Sequence, residues 1–276
     1  MLLRITDKLI HILQKVRFKL TEKAYKKDSV LNQNSALANK YKGRKCYLLG
    51  NSQSLNKHDL LRLKDEMVFC VNTFFVHENF DEIKPGFYAF ADQDFYNFED
   101  EATREWWGKM IEKTKNKGIT FFFPIQMKGS FVHEAMKDEK ICFLDLSVNF
   151  TAGSVRNFNI AQPVNWVQNV LILCIQLAIY MGFEEIYLLG ADHDWLSHYG
   201  EEHKHFYNTK QTNVKNIGSD GYPYHWWLNA VNTMFTQYKL IDESVQNTNV
   251  KIYNASESGV LDIYPFIRYN DTFQDA

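Results

Sequence analysis

The sequence predicts an α/β fold with a single doubly wound, mostly parallel sheet. Short apolar runs alternate with helical segments along the 276 residues, which is the pattern of βαβ units. Several runs end directly in glycine, carboxylate or amide residues, and such polar ends are typical of ligand-binding strands in open sheets. The length suits one domain with its own core.

The stretch 164–194 carries the strongest signal in the chain. Its first half is apolar on nearly every face, which predicts a buried helix that ends at Gly182. A short apolar strand follows and ends at Gly190, with Asp192 and Asp194 directly after it. Because ligands bind beyond the carboxyl ends of parallel strands, we expect this acidic segment to lie in a functional site. The alternative is a solvated polar loop.

Two further polar loops follow strands near the start of the globular region. The first contains Gly50, Asn51, Ser52 and Ser54, and Asn72 ends the next apolar run. A glycine turn followed by a helix that Ser54 caps exposes backbone N–H groups, so it predicts a phosphate cradle. Its single glycine distinguishes this loop from the dinucleotide and Walker motifs.

Polar side chains also follow the outer strands. Asp92 and Asp94 end the third apolar run, and carboxylates placed in this way can hold Mg²⁺. Asn254 follows the last predicted strand. We expect these side chains to converge on one edge of the sheet, and this convergence is stronger evidence for a site than any single residue.

Residues 196–224 are crowded with His, Tyr, Asn and Lys and predict a lid over the site. The histidines of this lid match no zinc-binding motif, so the sequence assigns no metal ligand there. His225 follows the lid and opens the last long helix, where an imidazole can act as a general base near neutral pH.

The domain organisation has two parts, residues 1–43 and 44–276. Leucine and isoleucine recur at helical spacing among lysines and arginines in residues 1–27, which predicts a basic amphipathic helix. Such a helix either lies on an anionic membrane surface or packs on the domain or a partner subunit. The polar, asparagine-rich segment 29–42 is interpreted as a linker.

Charge and cysteine usage narrow the function classes. The formal net charge of −2 excludes a protein that binds nucleic acid through overall charge. The four cysteines lie in apolar runs without C-x-x-C pairing, which indicates reduced thiols in a cytoplasmic protein. The longest apolar run is interrupted by Gln176 and is too short to span a membrane.

Several of these segments together resemble bacterial CMP-sialic-acid-dependent sialyltransferases of the lipooligosaccharide type. Residues 48–55 resemble the nucleotide-binding opening of that family, and 71–75 are similar to its Cys-Asn-x-Phe segment. The closest likeness is 178–192, and His225 falls where the family keeps its catalytic histidine. The resemblance spans about residues 44–266 and implies a Rossmann-like domain that binds a nucleotide sugar.

A second, related group shares the same pattern. It is the 6-hydroxymethylpterin diphosphokinase-like domain, also found in motility accessory factor glycosyltransferases that add nonulosonic acids to flagellin. Segments 176–178, 182–183 and 190–193 look nearer to this group. The chain departs from the sialyltransferases at Ser52, where their motif has glycine, and at Asp194, where they carry a tyrosine that holds the leaving phosphate. The resemblance therefore leaves the branch of the superfamily open.

The resemblance implies a glycosyltransferase that moves sialic acid or another nonulosonic acid from a CMP-activated donor to a surface glycan of lipopolysaccharide or capsule. Such a reaction requires no metal in principle, because CMP leaves with a single phosphate. Asn169 is assigned to the donor site by its position, although Gln168-Asn169-Val170 departs here from the family's Thr-Ser-Gly segment. The residues assigned to the donor are Gly50, Asn51, Ser52, Ser54, Asn72, Asp92, Asn169, Gly190 and Asn254. The residues assigned to the transfer step are His225 as the base, Asp192, Asp194, Tyr199 and His205.

Two other functions stay open. A diphosphokinase of the pterin type would bind Mg²⁺ and ATP phosphates through four carboxylates: Asp92, Asp94, Asp192 and Asp194. Against it, the sequence has no lysine-bearing phosphate loop of the usual pattern. A non-catalytic nucleotide-binding or scaffolding subunit of a polysaccharide assembly complex would explain the departures at Ser52, Gln53 and Asp194.

The resemblance also bears on partners and location. A glycan or lipid-linked glycan acceptor fits a cytoplasmic enzyme that is peripheral on the inner membrane through residues 1–27. Sialyltransferases of this kind are often homo-oligomers, although the sequence shows no interface signal.

Overall fold

The computed structural model describes residues 30–96, 98–151, 155, 158–199, 205–207 and 222–273. The amphipathic helix predicted for residues 1–27 lies outside the described residues, as does most of the predicted lid. Within the described ranges, each helix falls short of the length or the apolarity that a membrane span requires.

Seven parallel strands form one sheet, as the sequence predicts. In chain order they are β1 Lys45–Leu49, β2 Val68–Val71, β3 Phe87–Ala89, β4 Thr120–Pro124, β5 Lys140–Leu144, β6 Glu185–Leu189 and β7 Lys251–Asn254. Their order in space is β5-β4-β3-β2-β1-β6-β7. The chain runs outward from β1 to β5 and then returns to β6 on the other side of β1. The topological switch point therefore lies between β1 and β6, where ligands bind in open sheets.

Helices connect the strands and cover both faces of the sheet. The α-helices of the described ranges are α1 Phe80–Ile83, α2 Glu101–Thr114, α3 Phe131–Ala135, α4 Val170–Met181 and α5 Tyr224–Val245. Short 3-10 helices occupy Val30–Leu37, Gln53–Lys57, Leu60–Leu63, Asn72–Val76, Gln93–Tyr96, Ile125–Met127, Trp195–His198 and Tyr269–Phe273.

The chain after β1 differs from the predicted α-helix, because it forms two separate 3-10 helices. His58 is extended (φ −104°, ψ 139°) and separates them. The side chain of Ser54 bonds away from the helix, to Asp192, rather than capping it. The backbone N–H of Ser54 also donates to Asp192, at 3.2 Å, so a tertiary contact rather than local propensity decides the conformation of this segment.

Helix α4 is the buried helix that the sequence predicts. Ten of its twelve residues are buried. Its first turn is capped by Asn169, whose Oδ1 accepts a hydrogen bond from the backbone N–H of Leu171 at 2.8 Å. It ends at Gly182, which adopts the left-handed conformation (φ 88°). Each fully buried Leu or Ile contributes about 1.5–3 kcal/mol, so α4 anchors one face of the sheet.

Side chains along each strand alternate between two apolar cores. In β1, Cys46 and Leu48 face the core that contains α4 and α5, whereas Tyr47 and Leu49 face the opposite core. The second core is rich in aromatic rings, and Trp107 of α2 is fully buried in it. The four cysteines are free thiols, three of them buried.

Residues 30–43 pack on the domain, in contrast to the linker that their polarity suggested. Leu31 is fully buried. The amide of Asn34 donates to the backbone oxygens of Phe143 and Ile160 at 2.8 and 2.9 Å. The backbone N–H of Asn39 donates to a carbonyl at the end of α4, at 3.0 Å. Asparagines in this segment thus satisfy buried carbonyls, a role that composition alone does not reveal.

Candidate functional site

A cleft of about 530 Å³ opens at the carboxyl ends of β1, β2 and β6. It lies at the topological switch point of the sheet. The described residues that line it are Gly50, Asn51, Ser52, Gln53, Ser54, Asn56, Lys57, Val71, Asn72, Asn169, Val170, Leu171, Gly190, Asp192, His193, Asp194, Trp195, His198, His205 and Ser258. Ten of the fourteen residues that the sequence proposed for the site are in this set. The expected convergence therefore holds for the loops after β1, β2 and β6, whereas Asp92 and Asn254 are not among the described lining residues.

The floor of the cleft is a close approach of two glycines. A Cβ on Gly50 would stand 2.2 Å from the carbonyl oxygen of Gly190. Gly190 itself has a φ of 65°, a backbone conformation that residues other than glycine rarely adopt. The backbone N–H of Ser52 donates to the Gly190 carbonyl at 3.3 Å. At this point the main chains of the two loops are in direct contact, and no larger residue fits between them.

Asp192 connects three loops at the centre of the site. Its Oδ1 accepts a hydrogen bond from the Ser54 hydroxyl, and its Oδ2 accepts from the Ser54 N–H at 3.2 Å. The Ser258 hydroxyl donates to the same Oδ2 at 3.4 Å, and the Asp192 N–H donates to Ser52 Oγ at 3.3 Å. Burial raises the pKa of Asp192, while the bonds from Ser54 oppose that rise. This carboxylate therefore positions the walls of the cleft.

The loop after β7 is built around Gly259, which the sequence reasoning passed over. Gly259 has a φ of 111°, and a Cβ there would stand 2.4 Å from the Cα of Asp192. The amide of Asn254 holds the loop from within: it donates to the Leu261 carbonyl at 2.9 Å and accepts from the Ser256 N–H at 3.0 Å. Asn254 therefore shapes the loop that carries Ser258 and is not among the described residues lining the cleft.

Two amide oxygens at the cleft have no hydrogen-bond partner in the part of the chain that the structure describes. They are the buried Oδ1 atoms of Asn51 and Asn72. The Nδ2 of Asn51 donates to the Val71 carbonyl at 3.4 Å, and this bond fixes which end of the amide carries the oxygen. Asn72 has a φ of 47°, and its backbone carbonyl oxygen accepts a hydrogen bond from the Tyr88 hydroxyl at 2.7 Å. Buried acceptors of this kind call for donors, such as the hydroxyl or amine groups of a ligand.

Lys57 adds a positive charge that the sequence reasoning missed. It ends the 3-10 helix Gln53–Lys57, is exposed, and is the one lysine or arginine among the described residues of the cleft. The available signal was a lysine one helical turn after Ser54. The spacing of this lysine differs from that in a Walker loop, so the known phosphate-binding motifs do not identify it.

A short part of the predicted lid lies along the β1 loop. Ser52 forms an isolated antiparallel bridge with His205, which lines the cleft. The Phe206 N–H donates to the Asn51 carbonyl at 3.0 Å, and the Asn56 amide donates to the Phe206 carbonyl at 3.1 Å. This segment thus adds a wall to the cleft through backbone pairing.

Asp192, His193 and Asp194 are consecutive in the sequence, but Asp194 and His193 have different partners and surroundings. The Oδ2 of Asp194 lies 3.4 Å from His198 Nε2, and both residues line the cleft. His193 is buried with a φ of 53°, and its Nε2 lies 2.9 Å from the Tyr238 hydroxyl of α5. Burial lowers the pKa of His193 to about 3, so its imidazole is neutral at physiological pH. His193 therefore ties the site to α5 as an uncharged group.

Four of the residues that the sequence proposed stand apart from the described lining. Asn254 supports the β7 loop, and His225 and Tyr199 are exposed near the start of α5. Asp92 bonds within its own turn, where its carboxylate accepts from the Asp94 N–H at 3.0 Å. Burial raises the pKa of Asp92. In the described part of the chain, His, Cys, Asp and Glu form no group of three that could hold a metal ion.

Comparison with known proteins gives one family. A family model described as 6-hydroxymethylpterin diphosphokinase MptE-like matches residues 21–198. The chain belongs to the MptE-like family. This agrees with the superfamily that the motifs at Gly50 and Gly190 indicated.

The solved structures that are similar to this MptE-like chain include a sialyltransferase complex. It is the sialyltransferase CstII from Campylobacter jejuni in complex with a substrate analogue, cytidine-5'-monophosphate. The identity is 17% and the TM-score 0.46, with 83% of this chain and 86% of that chain covered. No curated protein matches the chain at a significant level.

Proposed function

We propose that this MptE-like chain is a glycosyltransferase that moves an acidic sugar from a CMP-activated donor to a glycan acceptor. The observation that carries the proposal is the chemistry of the cleft at the switch point. Among the described residues, it combines unpartnered acceptors at Asn51 and Asn72 with one cation, Lys57. The motif resemblance around these residues points to the same donor class.

The cleft suits a nucleoside monophosphate in both size and polarity. Its volume of about 530 Å³ is within the usual range of small-molecule sites, about 300–1,000 Å³. Ribose hydroxyls and the exocyclic amine of cytosine are donors, which the oxygens of Asn51 and Asn72 require. A phosphate offers acceptors only, so it suits the ammonium group of Lys57 and the hydroxyl of Ser52.

The transfer step follows from these assignments. The acceptor hydroxyl loses its proton to His225 while its oxygen bonds to the anomeric carbon of the sugar. The bond between that carbon and the CMP phosphate breaks, and the phosphate takes the electron pair. Lys57 and His205 would stabilise the departing charge, and Asp192 would position the loops that hold the nucleotide. Asn169 and Asp194 would contact the donor from the other side of the cleft.

The wider setting of the enzyme belongs to the same proposal. The acceptor would be a surface glycan of lipopolysaccharide or capsule, free or linked to lipid. Residues 1–27 would hold the protein peripherally on the inner membrane, on its cytoplasmic side, with 44–276 as the catalytic domain and 196–224 as its lid.

A pterin diphosphokinase is the second candidate, and the description of the matching family favours it. The four carboxylates that such an enzyme would use do not all lie at the cleft. Asp192 and Asp194 line the cleft, whereas Asp92 and Asp94 are not among its described residues. Asp192 already accepts three hydrogen bonds from serines, which leaves it fewer lone pairs for Mg²⁺.

Calorimetric titration separates the two candidates. We expect wild-type protein to bind CMP with or without EDTA, and Lys57→Gln to weaken CMP binding about tenfold while leaving cytidine binding unchanged. A charge-assisted bond to phosphate is worth about 1.5–3 kcal/mol, which corresponds to a change of that order. Lys64→Gln, an exposed lysine outside the cleft, is the matched control.

Two other outcomes of the titration would favour a different function. ATP binding that requires Mg²⁺ and disappears with EDTA, without CMP binding, would favour the diphosphokinase. Binding of neither nucleotide would count against both enzymes as proposed. It would favour a scaffolding subunit or a donor that carries a different nucleotide.

The role of His225 needs a separate experiment. We expect His225→Ala to lower the rate of sugar transfer at least about a hundredfold, since general bases contribute about 10²–10⁴-fold. CMP binding should stay within twofold of wild type, because His225 is not among the described residues of the cleft. The measurement is transfer from CMP-sialic acid and related CMP-nonulosonic acids. Undiminished transfer in the variant would remove His225 from the mechanism.

A further inference from the structure

We propose that an aromatic surface at the start of α5 binds the acceptor, and that this acceptor ends in an uncharged sugar. The α5 aromatic surface consists of Tyr199, Tyr222, Tyr224, Trp226 and Trp227. The inference rests on the proposed glycosyltransferase function and adds to it the site and the chemical class of the acceptor.

The rings of this surface contact one another in two groups. The ring centroids of Tyr222 and Trp226 are 4.1 Å apart with nearly parallel planes. Trp226 and Trp227 meet edge to face at 5.3 Å, and Tyr199 meets Tyr224 edge to face at 4.8 Å. Mutual packing holds these side chains in place, so they form a preorganised surface rather than separate mobile groups.

The surface is unusually exposed for its chemistry. Tyr199, Tyr222 and Tyr224 are 48%, 42% and 45% exposed, and Trp226 is 37% exposed. Together with Leu228 they are five of the ten large apolar side chains that are exposed in the described part of the chain. Such a concentration of exposed apolar side chains marks a binding surface.

The polar groups that α5 itself places beside the rings carry no fixed charge. From Tyr222 to Tyr238 the chain contains no Asp, Glu, Lys or Arg. The exposed polar side chains on this part of α5 are amides and hydroxyls, including Asn229, Asn232 and Thr236. A sugar offers C–H faces that pack on aromatic rings and hydroxyls that bond to amides, and an uncharged sugar needs no counter-charge.

The surface also adjoins the nucleotide cleft. Trp195 lines the cleft, and its ring centroid lies 6.4 Å from that of Trp227. His225 stands in the sequence between Tyr224 and Trp226, in the first turn of α5. A sugar held on these rings would therefore lie near both the proposed base and the donor.

Two other occupants of an aromatic surface fit less well. An anionic membrane surface attracts proteins through clustered Lys and Arg, which this part of α5 lacks. A second copy of the chain would bury the surface and block the route from His225 to an acceptor. Both are outcomes of the test below.

The test is saturation-transfer NMR of the full chain with a panel of neutral sugars: lactose, maltose, cellobiose, chitobiose and methyl mannoside. We expect at least one of them to receive saturation from the protein, and glucuronate, the anionic probe, to receive none. Trp226→Ala should reduce the signal at least fivefold, and Tyr222→Ala should act in the same direction. Phe131→Ala, an exposed aromatic side chain of α3 beside β5, is the matched control and should leave the signal unchanged.

Three results would overturn the inference. They are no signal from any neutral sugar, a signal that Trp226→Ala leaves intact, or a change in Trp226→Ala of vesicle binding or sedimentation mass instead of sugar binding. CMP titration of the same samples tests the proposed nucleotide binding independently of sugar binding. A variant that binds CMP but no sugar supports the acceptor surface, whereas a wild-type chain that ignores CMP counts against the glycosyltransferase itself.

Discussion

Gly50→Ala is expected to destabilise the protein by about 3 kcal/mol and to abolish nucleotide binding. The new methyl group would stand 2.2 Å from the Gly190 carbonyl oxygen and 3.1 Å from a methyl carbon of Leu171. The first of these neighbours is backbone and cannot rotate away, so β1 and β6 would have to separate at the cleft. The measurements are the free energy of unfolding in urea and calorimetric titration with CMP.

Gly108→Ala is the matched control for this prediction. Gly108 lies inside α2, and a Cβ there would meet nothing within 4 Å. Alanine is a better helix former than glycine, so this variant should gain about 0.5–1 kcal/mol of stability. CMP binding should be unchanged. Equal stability of Gly50→Ala and wild type would show that the two loops do not meet as described.

Asp192→Asn is expected to cost about 1–3 kcal/mol of stability and to weaken CMP binding at least tenfold. The wild-type carboxylate presents an acceptor on both sides, to Ser54 on one and to Ser54 and Ser258 on the other. An asparagine has one acceptor oxygen, so at least one of these donors would face an NH₂ group whichever way the amide turns. Urea unfolding and CMP titration measure the two effects.

Asp194→Asn serves as the stability control for Asp192. Asp194 is 39% exposed at its side chain and pairs only with His198 across 3.4 Å among the ion pairs described. Exposed pairs contribute about 0–1 kcal/mol, so its unfolding free energy should hardly change. A double-mutant cycle of Asp192→Asn with Ser54→Ala should give a coupling energy of about 0.5–3 kcal/mol. Additive effects would contradict a direct contact between the two side chains.

Much of the fold could be predicted because its parallel strands are nearly continuous apolar runs. The pattern of β1 and β6, each ending in glycine beside polar residues, identified the strands that flank the cleft. The apolar helix α4 and its terminal Gly182 were predicted for the same reason. Local sequence decides these features, since the period and the capping residues are contained within the element itself.

The remaining features depend on partners that are distant in the sequence. Ser54 was expected to cap a helix, but its hydroxyl bonds to a carboxylate 138 residues away. Asn34 was assigned to a linker because the carbonyls that it satisfies belong to residues more than 100 positions later. Gly259 gave no signal, since its need for glycine comes from the backbone of Asp192 packed against it. Tertiary contacts of this kind override local propensity.

The position of β1 between β2 and β6 also has a consequence for synthesis on the ribosome. Leu49 pairs with Leu189, about 140 residues later in the chain, so the floor of the cleft joins two segments made far apart in time. At a synthesis rate of roughly 5–20 residues per second, β6 is made on the order of ten seconds after β1. During that interval one edge of β1 has no neighbouring strand, and exposed edges of this kind invite wrong pairing. The nascent chain therefore depends on early shielding of β1, and it gains a complete nucleotide cleft only after β6 has emerged.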